Sequence, residues 1–189
     1  MLTFVTGPVR SGKSRFAEIL AAEAGGDVTY VATAAHDDDD AAWQRRIAKH
    51  VARRPTTWRL IETARSGEIP LDTLLRDATA QQTILVDSLG TWLAHRMSQR
   101  FAHGGDAAAT DEDVLDCDLG TVVDAALATR AHAIVVGEEV GWGLVPPYPS
   151  GRVFRDVLGR AQQALARGAE RKFLIVAGHA LDLSWGRAF

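Results

Sequence analysis

Residues 7–14 read Gly7-Pro8-Val9-Arg10-Ser11-Gly12-Lys13-Ser14, a complete G-x-x-x-x-G-K-[ST] pattern. The pattern follows the apolar run 2–6 and opens a helical stretch over 13–24. Its two glycines permit backbone conformations in which successive N–H groups point at one anion, beside the positive end of a new helix. The lysine of this pattern reaches the β- and γ-phosphates, and the next hydroxyl binds the accompanying magnesium ion. The stretch therefore predicts a nucleoside triphosphate site, with Lys13 as a catalytic residue and Ser14 as a metal ligand.

Composition limits what the rest of the chain can be. At 189 residues and 47% hydrophobic, the chain can bury one sizeable core, so we predict a single domain over residues 1–189. The net charge of −3 argues against a general nucleic-acid binder. The single cysteine, Cys117, excludes an intrachain disulfide and a cysteine-cluster metal site, and it fits a reducing compartment. Neither a signal peptide nor a membrane span is recognisable, so the expected location is cytoplasmic.

Short β-rich runs alternate with helical patterns along the chain. The runs are mostly continuous in Val, Ile, Leu and Ala, which is typical of strands buried on both faces. This alternation predicts an α/β fold of the P-loop NTPase type, with a mainly parallel sheet flanked by helices. The predicted strands are 2–6, 28–33, 58–62, 83–87, 133–137 and 173–177, and the predicted helices are 13–24, 40–54, 71–78, 89–99, 112–129 and 152–167. Ligands of such sheets lie beyond the carboxyl ends of the strands.

The apolar run 83–87 ends in the carboxylate of Asp87. P-loop proteins place an aspartate at such a strand end, near the magnesium ion or its water shell. Strands also end in aspartate simply to cap the helix that follows. Because the phosphate-binding pattern is present in the same chain, we favour Asp87 as a metal-linked residue.

The segment 45–55 is strongly basic and contains one histidine. At about 100° per residue, Arg46, His50 and Arg53 share one helical face, and Pro55 ends the helix. A neutral imidazole between guanidinium groups suits attack on phosphorus, because arginines carry the phosphate charge while histidine, with an ordinary pKa near 6.5, keeps a lone pair. An exposed basic helix face with an incidental histidine explains the same pattern, and the residues alone favour that simpler interpretation.

Seven stretches, taken in order, are similar to one enzyme family across nearly the whole chain. They are G-P-V-R-S-G-K-S-R-F-A-E at 7–18, Y-V-A-T-A at 30–34, R-I-A-K-H-V-A-R-R-P at 46–55, W-R-L-I-E at 58–62, I-L-V-D-S-L-G-T-W-L at 84–93, E-E-V-G-W-G-L-V-P at 138–146 and R-V-F-R-D-V-L-G-R-A-Q-Q at 152–163. On these residues the chain resembles the bifunctional adenosylcobinamide kinase / adenosylcobinamide-phosphate guanylyltransferase family of cobalamin biosynthesis. It departs from the family's usual residues at Lys49, Ser88 and Gln162 and in segment 40–43.

The resemblance implies two reactions. The first phosphorylates the aminopropanol hydroxyl of adenosylcobinamide with ATP or GTP, and the second transfers GMP from GTP to that phosphate, giving adenosylcobinamide-GDP. The resemblance implies a guanylylated histidine at His50, which reverses the simpler interpretation of that helix. It also implies a homotrimer, a corrinoid as the bound partner molecule, and RecA-like architecture. The implied guanine-nucleotide contacts are Thr33, Ala34, Ala35, Val51, Ala52, Arg53, Arg54, Glu62 and Asp87.

Two other functions fit part of the same pattern. A P-loop kinase or NTPase needs only residues 7–14, and His50 would then be structural. A nucleotide-dependent binding protein would use the same loop to signal to a partner. The carboxylates of Glu138 and Glu139 fit a contact with magnesium or the acceptor hydroxyl as well as they fit a capping or solvated role.

Overall fold

The computed structural model describes residues 1–34, 45, 48, 51, 53–64, 69–101 and 109–186. The strands are β1 (Leu2–Thr6), β2 (Asp27–Ala32), β3 (Arg59–Glu62), β4 (Gln82–Asp87), β5 (His132–Val136), β6 (Arg171–Val176) and β7 (His179–Asp182). The helices are α1 (Lys13–Ala24), α2 (Leu71–Asp77), α3 (Leu89–Phe101), α4 (Ala109–Ala128) and α5 (Pro149–Gly168). Within the predicted helix 40–54, the described residues Arg45, Ala48, Val51 and Arg53 are helical.

The described strands form a seven-stranded sheet in the order β3-β2-β4-β5-β1-β6-β7. Strands β1 to β6 run parallel, and β7 is antiparallel to β6. The predicted α/β fold with a mainly parallel sheet is thus confirmed. Because parallel strands end at the same edge, the loop 7–12 after β1, Asp87 at the end of β4 and Glu138 after β5 meet there.

The central strands of the sheet are buried on both faces, as is typical of continuous apolar strands. In β4, Ile84 and Val86 face a core beneath α2 to α5, while Leu85 between them faces a second core beneath α1. This arrangement fixes α1, and with it the phosphate-binding loop, to one face of the sheet. In the part of the chain that the structure describes, no helix combines the length and apolarity needed to cross a membrane.

Strand β7 was missed by the sequence prediction, which ended the sheet at 173–177. It follows a two-residue hairpin turn in which Ala177 and Gly178 both have positive φ, 51° and 78°. Alanine at the first position of such a turn gives no signal, because Asn, Asp and Gly are the usual residues there. The Gly178 N–H donates to the carbonyl oxygen of Ser11 at 3.0 Å, so this hairpin supports the phosphate-binding loop.

Candidate active site

The loop between β1 and α1 has the backbone geometry that its sequence predicts. Arg10 and Gly12 have positive φ, 58° and 100°, and the Ser11 N–H donates to the Pro8 carbonyl at 3.2 Å. Gly12 precedes α1 without a side-chain cap. The first N–H groups of the helix are therefore left for another acceptor, which is the arrangement that binds anions.

Two polar side chains of this loop are buried. Lys13 and Ser11 are each only 5% exposed. The Ser11 hydroxyl oxygen has no hydrogen-bond partner in the described part of the chain, and a buried hydroxyl in that state costs about 1–3 kcal/mol. A buried ammonium and an unpartnered hydroxyl in one loop fit a site built around a phosphate group.

Asp87 and Ser14, the two predicted metal ligands, are brought together by the fold. The Ser14 hydroxyl donates to Oδ1 of Asp87 at 3.2 Å, across the gap between the start of α1 and the end of β4. The Tyr30 phenol donates to the other carboxylate oxygen, Oδ2, at 2.6 Å. Each oxygen of this carboxylate is therefore held by a hydroxyl donor.

Tyr30 connects this carboxylate to the end of the basic helix. The guanidinium carbon of Arg54 lies 3.5 Å from the centroid of the Tyr30 ring, a stacked cation–π arrangement. Burial, followed by the charge of Asp87, raises the pKa of the Tyr30 phenol, so the phenol stays a neutral donor. The Arg54 Nε is buried without a hydrogen-bond partner among the described residues. A guanidinium N–H with no partner in the described ranges thus lies beside the tyrosine that holds Asp87.

Arg53 attaches the same helix to α1. Its Nε and Nη2 donate to the two carboxylate oxygens of Glu18 at 3.1 and 3.2 Å. This forked pairing is the geometry that arginine forms best with a carboxylate. The end of the basic helix therefore contacts both the phosphate-binding helix and the tyrosine that holds Asp87.

Comparison with known proteins identifies the family. The family model for cobinamide kinase / cobinamide phosphate guanyltransferase matches residues 3–183. The chain belongs to this family. The bifunctional adenosylcobalamin biosynthesis protein CobU of Salmonella typhimurium is 36% identical over 185 residues, covering 94% of this chain and 97% of that protein. CobP of Pseudomonas aeruginosa, another bifunctional adenosylcobalamin biosynthesis protein, is 36% identical over 183 residues, covering 97% of each chain.

Solved structures of more distant proteins share the fold. An ATPase from the type III secretion system of pathogenic bacteria has a TM-score of 0.53 at 9% identity, and the match covers 92% of this chain and 50% of that one. The ATPase EscN of enteropathogenic E. coli has a TM-score of 0.54 at 14% identity, covering 93% of this chain and 43% of that one. At such identities the likeness concerns the fold alone, which is that of P-loop ATPases.

Within this cobinamide kinase / guanyltransferase fold, Thr33 lies in a hydrogen-bond network behind Asp87. Its hydroxyl, which is fully buried, donates to the Ser88 carbonyl at 2.6 Å and accepts from the Ser88 N–H at 2.8 Å. The Thr91 hydroxyl lies 2.6 Å from it. Thr33 thus shapes the turn that carries Asp87, and its contact with a nucleotide stays a prediction.

Glu138, which follows β5, belongs to the same hydrogen-bond network as Thr33 and Ser88. Its carboxylate accepts from the Ser88 hydroxyl and, at 2.9 Å, from the N–H of Gly90 in the first turn of α3. Burial raises the pKa of Glu138, although the hydrogen bond from Ser88 and the charge of Lys13 each act to lower it. Of the two roles left open for this residue, the geometry favours capping of α3. Glu139 accepts from the Thr6 hydroxyl at 2.8 Å.

Of the other predicted nucleotide contacts, Ala34 and Glu62 lie at the same sheet edge as Asp87, because Ala32 of β2 pairs with both Glu62 and Asp87. Pro8, Val9 and Arg10 lie in the phosphate-binding loop, and Val9 is 71% exposed. Ala34 follows β2, Glu62 ends β3 half-buried, and Val51 is exposed. Three predicted site residues, His50, Ala35 and Ala52, lie outside the described residues.

Two contact residues of the site, Tyr30 and Glu18, were missed by sequence reasoning. Both lie in stretches that carried the family resemblance, 30–34 and 7–18. Their roles depend on partners 57 and 35 residues away in the chain. The sequence signal available for Tyr30 was a ring with a hydroxyl group beside the apolar residues Val31 and Ala32, since a buried tyrosine hydroxyl usually has a hydrogen-bond partner.

Proposed function

We propose that this chain phosphorylates adenosylcobinamide with ATP or GTP and transfers GMP from GTP to the resulting phosphate, giving adenosylcobinamide-GDP. The observation that carries the proposal is the meeting of the phosphate-binding loop, the Ser14–Asp87 pair and the Arg53–Arg54 end of the basic helix. Family membership and the names of the bifunctional relatives support both activities.

Residues 7–14 and Lys13 would bind the triphosphate. Backbone N–H groups at the start of α1 and the buried Lys13 ammonium balance phosphate charge, which otherwise opposes the approach of an attacking oxygen. In the kinase reaction the acceptor is the aminopropanol hydroxyl. Its oxygen forms a bond to the γ-phosphorus, the bond to the β,γ-bridging oxygen breaks, and the hydroxyl proton is released.

A magnesium ion fits the donors at the start of α1. Because the Ser14 hydroxyl donates its proton to Asp87, its oxygen lone pairs remain for a cation. Magnesium prefers oxygen ligands and usually combines one or two protein groups with phosphates and water. No group of three or more His, Cys, Asp or Glu in the described ranges is arranged to hold a metal. When bound, the magnesium ion would neutralise phosphate charge.

His50 would act as the nucleophile of the second reaction. An imidazole nitrogen forms a bond to the α-phosphorus of GTP and pyrophosphate leaves; a phosphate oxygen of adenosylcobinamide phosphate then attacks the same phosphorus and the histidine leaves. Covalent catalysis replaces a three-body encounter with two displacements. Arg54, four residues after His50, would face the phosphates with its Nε, which has no hydrogen-bond partner in the described part of the chain. Arg53, paired with Glu18, would hold the segment against α1.

Several features are proposed on the resemblance alone. They are nucleotide contacts at Thr33, Ala34, Ala35, Val51, Ala52 and Glu62, a homotrimeric assembly, and a cytoplasmic location. Light scattering coupled to gel filtration tests the assembly, since a trimer has three times the 20.4 kDa mass of the chain.

The deciding experiment is incubation with α-labelled GTP and magnesium in the absence of corrinoid. Wild type, His50→Ala and a control variant, His95→Ala on α3, are compared. We expect acid-labile, alkali-stable label on wild type and His95→Ala, and none on His50→Ala, as a phosphoramidate on His50 requires.

A wild type that binds GTP but takes no label would contradict the guanylyltransferase proposal. The chain would then be a P-loop kinase or NTPase, which cobinamide-dependent release of ADP or GDP would demonstrate. Label that persists on His50→Ala would instead mean that another residue is the nucleophile.

A further inference from the structure

Tyr30 reaches Asp87 because of the register between two strands. In the parallel pair of β2 and β4, Tyr30 pairs with Leu85 and Ala32 pairs with Asp87. Tyr30 and Asp87 are therefore offset by two positions and lie on the same face of the sheet, the face covered by α1. A tyrosine is long enough to span this offset, and its hydroxyl lies 2.6 Å from Oδ2.

The surroundings of Tyr30 leave its ring little freedom. The residue is 2% exposed and belongs to the core beneath α1. Arg54 covers the ring at 3.5 Å. A hydroxyl fixed in this way restrains the rotation of the carboxylate that it contacts, since the aspartate χ2 torsion is otherwise broad.

We propose that Tyr30 is a positioning residue of the reaction, which holds Oδ2 of Asp87 so that Oδ1 faces the Ser14 hydroxyl at the metal-linked end of the site. The inference rests on the proposed function, because Asp87 has its metal-linked role only there. In this role Tyr30 acts through Asp87.

The test is the effect of magnesium on nucleotide affinity. Calorimetry measures binding of α,β-methylene-GTP, which cannot give up GMP, with magnesium and with EDTA. The chain has two tyrosines, so Tyr30→Phe is matched by Tyr148→Phe on the exposed second tyrosine. We expect Tyr30→Phe to reduce the affinity gained from magnesium roughly tenfold, about 1.4 kcal/mol. In EDTA, the affinity of Tyr30→Phe for the analogue should stay within about twofold of wild type. Tyr148→Phe should stay within the same range both with magnesium and with EDTA.

A double-mutant cycle tests whether Tyr30 works through Asp87. In the Asp87→Asn background, Tyr30→Phe should cause no further loss of the nucleotide affinity gained from magnesium. The carboxylate that Tyr30 positions is already altered in that background. A Tyr30→Phe variant that keeps the wild-type magnesium effect, even with a lower melting temperature, would overturn the inference and leave the proposed function intact. A wild type that binds no analogue at all would overturn the proposed function itself.

A spectroscopic measurement covers the case in which Tyr30→Phe does not fold. Protein made with 3-fluorotyrosine gives two fluorine resonances, one for each tyrosine, and Tyr148→Phe assigns them. We expect magnesium to shift the Tyr30 resonance of the analogue complex and Asp87→Asn to abolish that shift. A Tyr30 resonance that does not respond to magnesium would overturn the inference.

Discussion

Arg53 and Glu18 form a two-hydrogen-bond ion pair between the basic helix and α1. Arg53 lies three residues after His50, and Glu18 lies four residues after Ser14. This side-chain pair links the segment of the predicted nucleophile to the helix that begins at the phosphate-binding loop. Because a displacement of about 1 Å at a reacting centre can cost 100-fold in rate, such a link is expected to matter for GMP transfer.

Glu18→Gln tests this link, because the amide keeps the shape of the side chain and removes its charge. We expect the unfolding free energy to fall by about 0.5–1 kcal/mol, since Arg53 is partly exposed. The rate of His50 guanylylation should fall at least roughly tenfold, while affinity for α,β-methylene-GTP changes little. Rapid-quench labelling measures the rate. Glu23→Gln, on the exposed face of α1, is the matched control, and equal rates in the two variants would contradict the prediction.

Gly7→Ala and Gly120→Ala should have opposite effects. A Cβ at Gly7 would lie 2.4 Å from the Ile175 carbonyl oxygen and 2.9 Å from the Ser11 hydroxyl, so β6 or the loop must move. We expect nucleotide affinity to fall at least about tenfold, together with a lower melting temperature. A Cβ at Gly120 in α4 meets nothing within 4 Å, so alanine there should stabilise the protein by about 0.5–1 kcal/mol. Calorimetry measures the nucleotide affinity of both variants, and thermal unfolding measures whether each melting temperature rises or falls.

The sequence predicts elements well where a motif or a long apolar run fixes them. The bounds of β1 and α1 coincide with the predictions 2–6 and 13–24, because the loop pattern sets the spacing between them. Helix α5 starts at Pro149 rather than at residue 152, since proline fits the first turn of a helix. Strand β7 was missed because the turn before it has alanine at its first position. All four residues of the strand are exposed, so no buried apolar run indicates it.

The sequence predicts a list of candidate site residues but not the contacts among them. The pairing of Ser14 with Asp87 follows from the strand order that P-loop folds share. The Tyr30–Asp87 bond depends on the register of β2 against β4, and the Arg53–Glu18 pair depends on how two helices dock. Neither relation is encoded in local periodicity. The contacts of His50 lie outside the described residues and stay predictions.

Lys13→Met should separate a catalytic lysine from a structural one. The methionine retains most of the buried aliphatic stem and removes the ammonium group. We expect kcat/KM of the kinase reaction to fall by roughly 10²- to 10³-fold, with little loss of thermal stability, because a buried charge carries a desolvation cost. Lys172→Met on β6 is the control. Near-normal turnover by Lys13→Met would contradict the assignment of residues 7–14.

Glu138 should give the protein a characteristic dependence of stability on pH. Because burial raises the pKa of the folded carboxyl, the folded state binds its proton more tightly than the unfolded state does. Stability is then lost as pH rises from the ordinary glutamate pKa of about 4.3 toward the raised value. Gln at this position cannot ionise, and it keeps both contacts, since its carbonyl accepts from Gly90 and its amide donates to Ser88.

The expected result is that Glu138→Gln gains thermal stability over wild type as pH rises above about 4.5, and that the gain levels off once the wild-type carboxyl is ionised. Thermal unfolding at closely spaced pH values measures the difference. Glu23→Gln in the same series separates this slope from the effect of removing one negative charge. A difference between Glu138→Gln and wild type that is constant with pH would mean that the folded and unfolded carboxyls have the same pKa, so that Glu138 is ionised above about pH 4.5. Capping of α3 would then involve a charged carboxylate, stabilised by Lys13 and the N–H groups of that helix.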